Sequence, residues 1–447
     1  MIKQFRAVIL AMLAAGLALM SNTGRAAEKP LPIIFVHGNG DTAGLWITTI
    51  WRFESNGYPR ALLDAIDLRY PTATAVYNEP QPAHSTADEE MQQLAGEVAA
   101  VKRRTGAAKV ILIAQSRGGN VVRNYLKNGG GAANTATAIL CGAVDHGVIV
   151  SDKALPGSEF NGASPFMRDL NSTPGEVVPG VRFMTIRSDS NDKYAQPDAR
   201  FLGHPRLPTG IGYDAPALKG ATNVVIPKAD HRETGYGREA FAAMYKFITG
   251  HEPRTRGVIA EAHPVLEGKV SAFQAGVPTN IGIAGAVVEI YKVSRKTGER
   301  QGNARLHIVT GADGHWGPFR VERNAYYEFV VAVPGFPVTH IYRSPFPRSS
   351  RYVNLRPQVL SKDDKEAGAV VHMSRPRGYF GVGRDTISLA GKQPPGIAAG
   401  VPSVSDAKLA FPATPARTVA AVFNREHIAV RTWPAADGQV SIAELTW

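Results

Sequence analysis

One cysteine, Cys141, stands in 447 residues, so no disulfide can form within the chain. It sits in the apolar run "TAILCGAV", where the expected state is a buried, inert thiol and not a nucleophile. Long hydrophobic runs are scarce, and beyond the first 26 residues none reaches the length of a membrane span. Metal-ligand spacing is missing too: there is no His-Glu-x-x-His, and the histidines are scattered. With no recognised nucleic-acid-binding module, nucleic acid is not an expected partner. Acidic residues are too few to balance the basic ones, which leaves a formal charge of +12. Residues 27–250 hold 23 basic and 22 acidic residues, whereas residues 251–447 hold 24 and 16. The excess therefore lies in the C-terminal part, where it favours loose attraction to anionic surfaces such as lipid or polymer particles.

Four segments are expected. Lys3 and Arg6, the run "AVILAMLAAGLALM" and the small residues Gly24 and Ala26 read as an export signal over 1–26, cleaved after Ala26. Residues 27–250 alternate strand-like runs ("LPIIFV", "ALLDAIDL", "KVILIA", "ATAILCGAV", "VRFMTI", "TNVVI") with helical stretches ("TADEEMQQLAGEVAAVKRR", "NVVRNYLKN", "GREAFAAMYKFITG"). That alternation predicts an α/β fold, a buried parallel sheet flanked by helices. After the linker-like "HEPRTRG" come short alternating runs such as "AVVEIYKV" and "YYEFVVAV", which predict an all-β, sandwich-like domain over 251–367 and a second β-rich segment over 368–447.

The strand "KVILIA" ends abruptly in "QSRGGN". A strand, a tight turn and a helix form the context that lifts a serine hydroxyl above a sheet edge, so Ser116 is the candidate nucleophile. A serine needs a base, and the base an orienting carboxylate. His231 follows the last strand of this half and is the candidate base. Among carboxylates Asp192 is favoured, because the loop after "VRFMTI" must extend sideways to reach His231; Asp189 and Asp145 are alternatives. The oxyanion needs backbone N–H donors. Arg117, next after the serine, supplies one, and Asn39 in "FVHGNGDTAG" is the expected second. His37 is expected to stabilise that loop, not to act as a base.

These residues resemble the α/β-hydrolase superfamily, and most of all bacterial secreted lipases and esterases whose serine motif begins with Ala. The matching pieces are "HGNG" at 37–40, "AQSRGG" at 114–119, "SDSND" at 188–192 and "DH" at 230–231. Gln115 stands where these lipases often carry His. The resemblance implies a Ser116–His231–Asp192 triad, an acyl-enzyme, an ester or lipid substrate and no cofactor. Residues 265–360 are similar to transthyretin-like or carboxypeptidase-regulatory β-sandwiches, and some microbial lipases carry a C-terminal β domain implicated in lipid binding.

Other readings compete. A polyester depolymerase would use the same triad, and its test is whether deleting 251–447 spares soluble esters while harming solid ones. A non-catalytic binding protein on a hydrolase fold would need a broken triad. Gly38, Gly40 and Ala43 also fit a dinucleotide loop, with Asp64 and Asp67 near the ribose distance, but an exported chain has little access to NAD. The long segment 147–180 is expected to form a lid, an acyl-pocket wall through Phe160, Phe166, Met167 and Leu170, or a packed insertion. Trp46 and Trp51 shape the same cleft or pack in the core. Arg343, Arg348, Arg351 and Arg356 form either a charged β edge or a surface for anions.

Overall fold

Short runs rich in Ile, Val and Leu become strands buried on both faces. In the computed structural model, which describes residues 29–412 and 416–447, they are β1 (Ile33–Val36), β2 (Leu63–Ile66), β3 (Val110–Gln115), β4 (Thr135–Cys141) and β5 (Arg182–Ser188). The hairpin β6 (Asp198–Ala199) and β7 (His204–Pro208) precedes β8 (Thr222–Ile226). Six of these strands pair in the order β2–β1–β3–β4–β5–β8, all parallel. The expected export signal, 1–26, lies outside the described residues. Among the described residues no helix is long and apolar enough to cross a membrane.

Helices α1 (Ile47–Ser55), α2 (Ala87–Thr105), α3 (Arg117–Lys127), α4 (Pro165–Leu170), α5 (Glu233–Tyr236) and α6 (Arg238–Thr249) follow the turn chemistry. Thr86 and Glu89 cap the start of α2 reciprocally, and Gly106 ends it in the left-handed conformation. Leu94, Val98 and Val101 of α2 and Val121, Val122 and Tyr125 of α3 bury one sheet face with Ile34, Val36, Leu112 and Leu140. Period-2 alternation sends Phe35 to the other face, where it packs on Trp46 and Phe53, and Phe53 packs in turn on Phe241 of α6. β8 departs from expectation. "TNVVI" closes the sheet as an edge strand, and Val225 keeps 47% of its surface exposed.

The remaining strands are β9 (Val265–Lys269), β10 (Ser271–Gln274), β11 (Val277–Gly282), β12 (Val287–Val293), β13 (Leu306–Val309), β14 (His315–Arg320), β15 (Tyr326–Ala332), β16 (Val338–Arg343), β17 (Ala369–Ser374), β18 (Ile387–Leu389), β19 (Asp406–Phe411), β20 (Thr418–Phe423), β21 (Glu426–Arg431) and β22 (Gln439–Glu444). Seven form a sheet ordered β13–β12–β15–β16–β22–β17–β19. β22 inserts parallel to both β16 and β17, so strands from either side of residue 367 share this sheet.

Contacts hold residues 32–447 together as one unit. Ile47 and Trp51 of α1 are buried in the same core as Leu266, Val288, Trp316, Phe329 and Phe346. The Trp51 indole N–H donates to the Ser349 carbonyl at 2.8 Å, so both tryptophans are core residues, as Trp46 is on the sheet. The four arginines of the "RSPFPRSSRYVNLRP" stretch are held internally: Arg348 on Glu54 (2.7 Å), Arg351 on Asp64 (2.9 Å), Arg343 on Glu444 (2.6 Å), and Arg356 on the Thr279 carbonyl (2.9 Å). The Asn354 side chain and Lys269 occupy Asp67, so Asp64 and Asp67 brace the β region instead of facing a ribose.

Candidate active site

β3 delivers Ser116 to a sharp corner. Ser116 has φ 54° and ψ −125°, a combination costly for any residue with a Cβ, and its N–H donates to the Cys141 carbonyl at 2.9 Å. α3 starts at Arg117 and packs tightly under the end of β1. A Cβ on Gly118 would lie 2.7 Å from the carbonyl oxygens of both Val36 and His37, so only glycine allows that approach.

The loop after β5 carries Asp192 back across the sheet edge. Both of its carboxylate oxygens accept from Nδ1 of His231, at 3.0 and 2.9 Å, and one also accepts the Tyr194 N–H at 2.8 Å. Nδ1 therefore carries the proton and Nε2 the lone pair. Nε2 is buried and has no hydrogen-bond partner among the described residues. The Tyr194 ring meets the imidazole edge-to-face at 4.7 Å, which restricts its rotation. Asp189 serves its own turn, accepting from Asn191 and from the Lys228 N–H. Asp145 lies near Arg123, and burial pushes its carboxyl above the usual range. Neither alternative touches His231.

Ser116, His231 and Asn39 line one cavity of about 310 Å³. Its lining combines apolar side chains, Val144, Val148, Phe160, Phe201 and Leu202, with polar ones that include Asn39, Asp41, Arg232 and Tyr379. Asn39 accepts the Ala73 N–H through its side-chain oxygen at 2.8 Å, which fixes the loop. His37 lies behind it, with Nδ1 on the Gly38 carbonyl (2.9 Å) and Nε2 accepting the Leu68 N–H (3.1 Å). Burial lowers its pKa, so it is a neutral brace. Arg117 turns its side chain away from the cavity into a sealed cluster with Glu90 (2.5 Å) and Glu159 (2.7 Å). Burial pushes the Glu90 carboxyl up to about 8.

Of the residues expected from segment 147–180, only Phe160 lines the cavity. Phe166 and Leu170 pack with Ala87 at the start of α2, and Met167 is fully buried. Cys141 is buried, and burial raises its thiol pKa far out of the reactive range. Sequence reasoning missed several neighbours. The Gln115 amide donates to the His231 carbonyl at 3.2 Å and steadies that loop from the serine side. Arg232 pairs with Asp41 at 2.5 Å across the cavity wall. Tyr379 reaches the cavity from the far C-terminal region. Nothing in its local sequence, "RPRGYFG", marks it. Among the described residues no cluster of three or more His, Cys, Asp or Glu is arranged to hold a metal ion.

A parallel sheet in the order β2–β1–β3–β4–β5–β8, with a strained serine after β3 and a histidine after its last strand, is the α/β-hydrolase arrangement, and that class describes this fold. Within it, residues 30–196 match the family described as "Lipase (class 2)", and residues 263–360 match the "Lipase C-terminal domain", the span in which a β-sandwich was expected. Similar solved structures include lipase B of Aspergillus fumigatus, 15% identical over 53% of this chain and 56% of that chain, with a TM-score of 0.35. Another is lipase BlEst2 of Bacillus licheniformis, 19% identical over 50% of this chain and 93% of that one, with a TM-score of 0.36. Among curated proteins, small ribosomal subunit protein uS2 of Methanococcus maripaludis is 29% identical over 109 residues, covering 21% of this chain and 45% of that protein. The chain thus spans less than half the length of the curated relatives it matches.

Proposed function

We propose that the chain is an exported serine ester hydrolase of lipase or esterase type. Ser116 is its nucleophile, His231 its base and Asp192 its acid. The observation that carries this reading is the Asp192–His231 bond, with Nε2 unpartnered and with His231 and Ser116 lining one cavity.

Nε2 takes the proton as the Ser116 hydroxyl oxygen attacks the ester carbonyl, and Asp192 steadies the imidazolium that forms. The oxyanion is received by the backbone N–H groups of Asn39 and Arg117. His231 then returns the proton to the departing alcohol, leaving an acyl group on Ser116. Water, deprotonated by the same nitrogen, releases the acid. Cys141, Asp145 and Asp189 take no part.

The acyl chain fits the apolar wall of Val144, Val148, Phe160, Phe201 and Leu202. A volume of about 310 Å³ lies at the small end of ligand pockets and favours short to medium acyl chains. Ser116 is only 8% exposed, which favours dispersed or soluble esters over a solid polyester. The test is a p-nitrophenyl ester series from short to long acyl chains with wild type and Ser116→Ala. Turnover by wild type alone, peaking at short to medium length, is the expected result. Full activity of Ser116→Ala, or a folded wild type inert on every ester, overturns the reading. Export is tested separately by sequencing the N-terminus of the mature protein, which is expected to begin at Ala27.

A further inference from the structure

The loops that carry Asp192 and His231 are both held by a segment far along the chain. Asp230, fully buried beside His231, accepts from the Arg375 guanidinium at 2.8 Å and from the Tyr379 N–H at 2.8 Å. Arg375 also donates to Glu233 (2.6 Å), to the Tyr236 hydroxyl (2.5 Å) and to the Tyr379 carbonyl (2.5 Å). Arg384 donates to Glu233 at 2.7 Å and to the Tyr379 carbonyl at 3.0 Å. Asp230 in turn caps the turn after His231 by accepting the N–H groups of Arg232 and Glu233, each at 2.9 Å.

The acid loop is tied to the same segment. Lys193, next to Asp192, places its ammonium 4.3 Å from the Tyr379 ring centroid and donates to the Ser403 carbonyl at 3.1 Å. Arg232, next to His231, lies 4.9 Å from the same ring. One aromatic ring thus receives the sequence neighbours of both loop residues, and that ring lines the cavity.

We propose that residues 375–384 complete the active site: Arg375 is a positioning residue that holds His231 in place through Asp230, and Tyr379 contacts the alcohol portion of the bound ester. The assignment to the alcohol follows from the chemistry of the cavity lining. The acyl chain suits its apolar side chains, which leaves the alcohol to Asn39, Asp41, Arg232 and Tyr379, and alcohols bearing further hydroxyl groups are the favoured class. This inference rests on the triad reading above.

Full-length Arg375→Gln, Arg375→Lys and Tyr379→Phe test it. Arg375→Gln is expected to lower kcat about 100-fold with little change in KM, because a small displacement of the base slows the chemistry and spares binding. Arg375→Lys is expected to restore part of that loss. The low-field proton resonance of His231 Nδ1 should vanish or broaden in Arg375→Gln, and it reads the Asp192–His231 bond without any turnover. Should that variant fail to fold, with Asp230 buried and unpaired, Arg375→Gln/Asp230→Asn removes both charges and is read the same way. Tyr379→Phe keeps the ring and is expected to lower kcat/KM about 3- to 10-fold more on glycerol esters than on ethyl esters of the same acid. An unchanged kcat and an unchanged His231 resonance in the Arg375 variants overturn the positioning role. Equal effects of Tyr379→Phe on both alcohols overturn the contact. A wild type that turns over no ester overturns the triad reading instead, and the resonance still judges Arg375.

Discussion

Ser116 and His231 line one cavity but are held there by opposite means. The serine is fixed locally: a six-residue buried strand, one strained residue and a glycine under the next helix set it within a span of ten residues. The histidine sits in a loop whose rigidity comes from elsewhere, from Gln115 on one side and from Arg375, Tyr379 and Arg384 on the other. A residue held by backbone geometry is robust and legible in a short motif. One held by charges from distant segments can be tuned or lost by changes far from the chemistry.

The sharpest way to break this comparison is deletion of residues 251–447. A separable module would leave soluble-ester activity intact. The shared core of Ile47 and Trp51 with Leu266 and Phe346, and the Asp230–Arg375 pair, lead us to expect complete loss of folded, active protein, measured by solubility, circular dichroism and turnover of a soluble ester. Ser116→Ala comes next, with turnover expected to fall roughly 10⁶-fold at unchanged thermal stability. Asp192→Asn should cost roughly 10⁴-fold in kcat by presenting the wrong imidazole tautomer, while Asp189→Asn and Asp145→Asn stay within a few-fold of wild type.

Gly118→Ala probes the serine corner alone. Its methyl group meets two backbone carbonyls that cannot swing away, so a loss of about 1–3 kcal/mol in a denaturant melt is expected. The smallest effect concerns Glu90. Burial holds its carboxyl at about 8 in the folded chain, against the ordinary value of 4.5 in the unfolded one. The folded state therefore keeps a proton that the unfolded state releases. The contribution of this group to stability is full below pH 4.5 and lost as pH rises to about 8. Glu90→Gln, neutral throughout, should flatten the decline in melting temperature over that window, and an unchanged slope would refute the assignment.

The site was only partly legible beforehand. Ser116, His231 and the favoured Asp192 come together as their order in the chain and the strand ends suggested, because strand–turn–helix grammar is local. The loop carboxylate was separated from Asp189 and Asp145 only by the three-dimensional path of the β5 loop. Phe166, Met167 and Leu170 were open to a lid, a pocket wall or a packed insertion, and they pack in the core; an apolar side chain in a long insertion has no periodicity to say which way it faces. The arginines of 343–356 looked like a charged edge or an anion patch. Their partners, Glu54, Asp64 and Glu444, lie more than 100 residues away in the chain, so composition could not pair them.

Hydrophobic periodicity, turn residues and the glycines beside a serine depend on neighbours within a few positions, so the sequence by itself determined the parallel sheet, the flanking helices, the serine corner and the β character of the C-terminal half. The insertion of β22 between β16 and β17, the burial of Trp51 under the β region and the arrival of Arg375 and Tyr379 beside His231 were decided only by the tertiary structure. Each joins residues seventy or more positions apart, and such pairings are selected by the packing and charge of the whole chain at once, with no local signal to announce them.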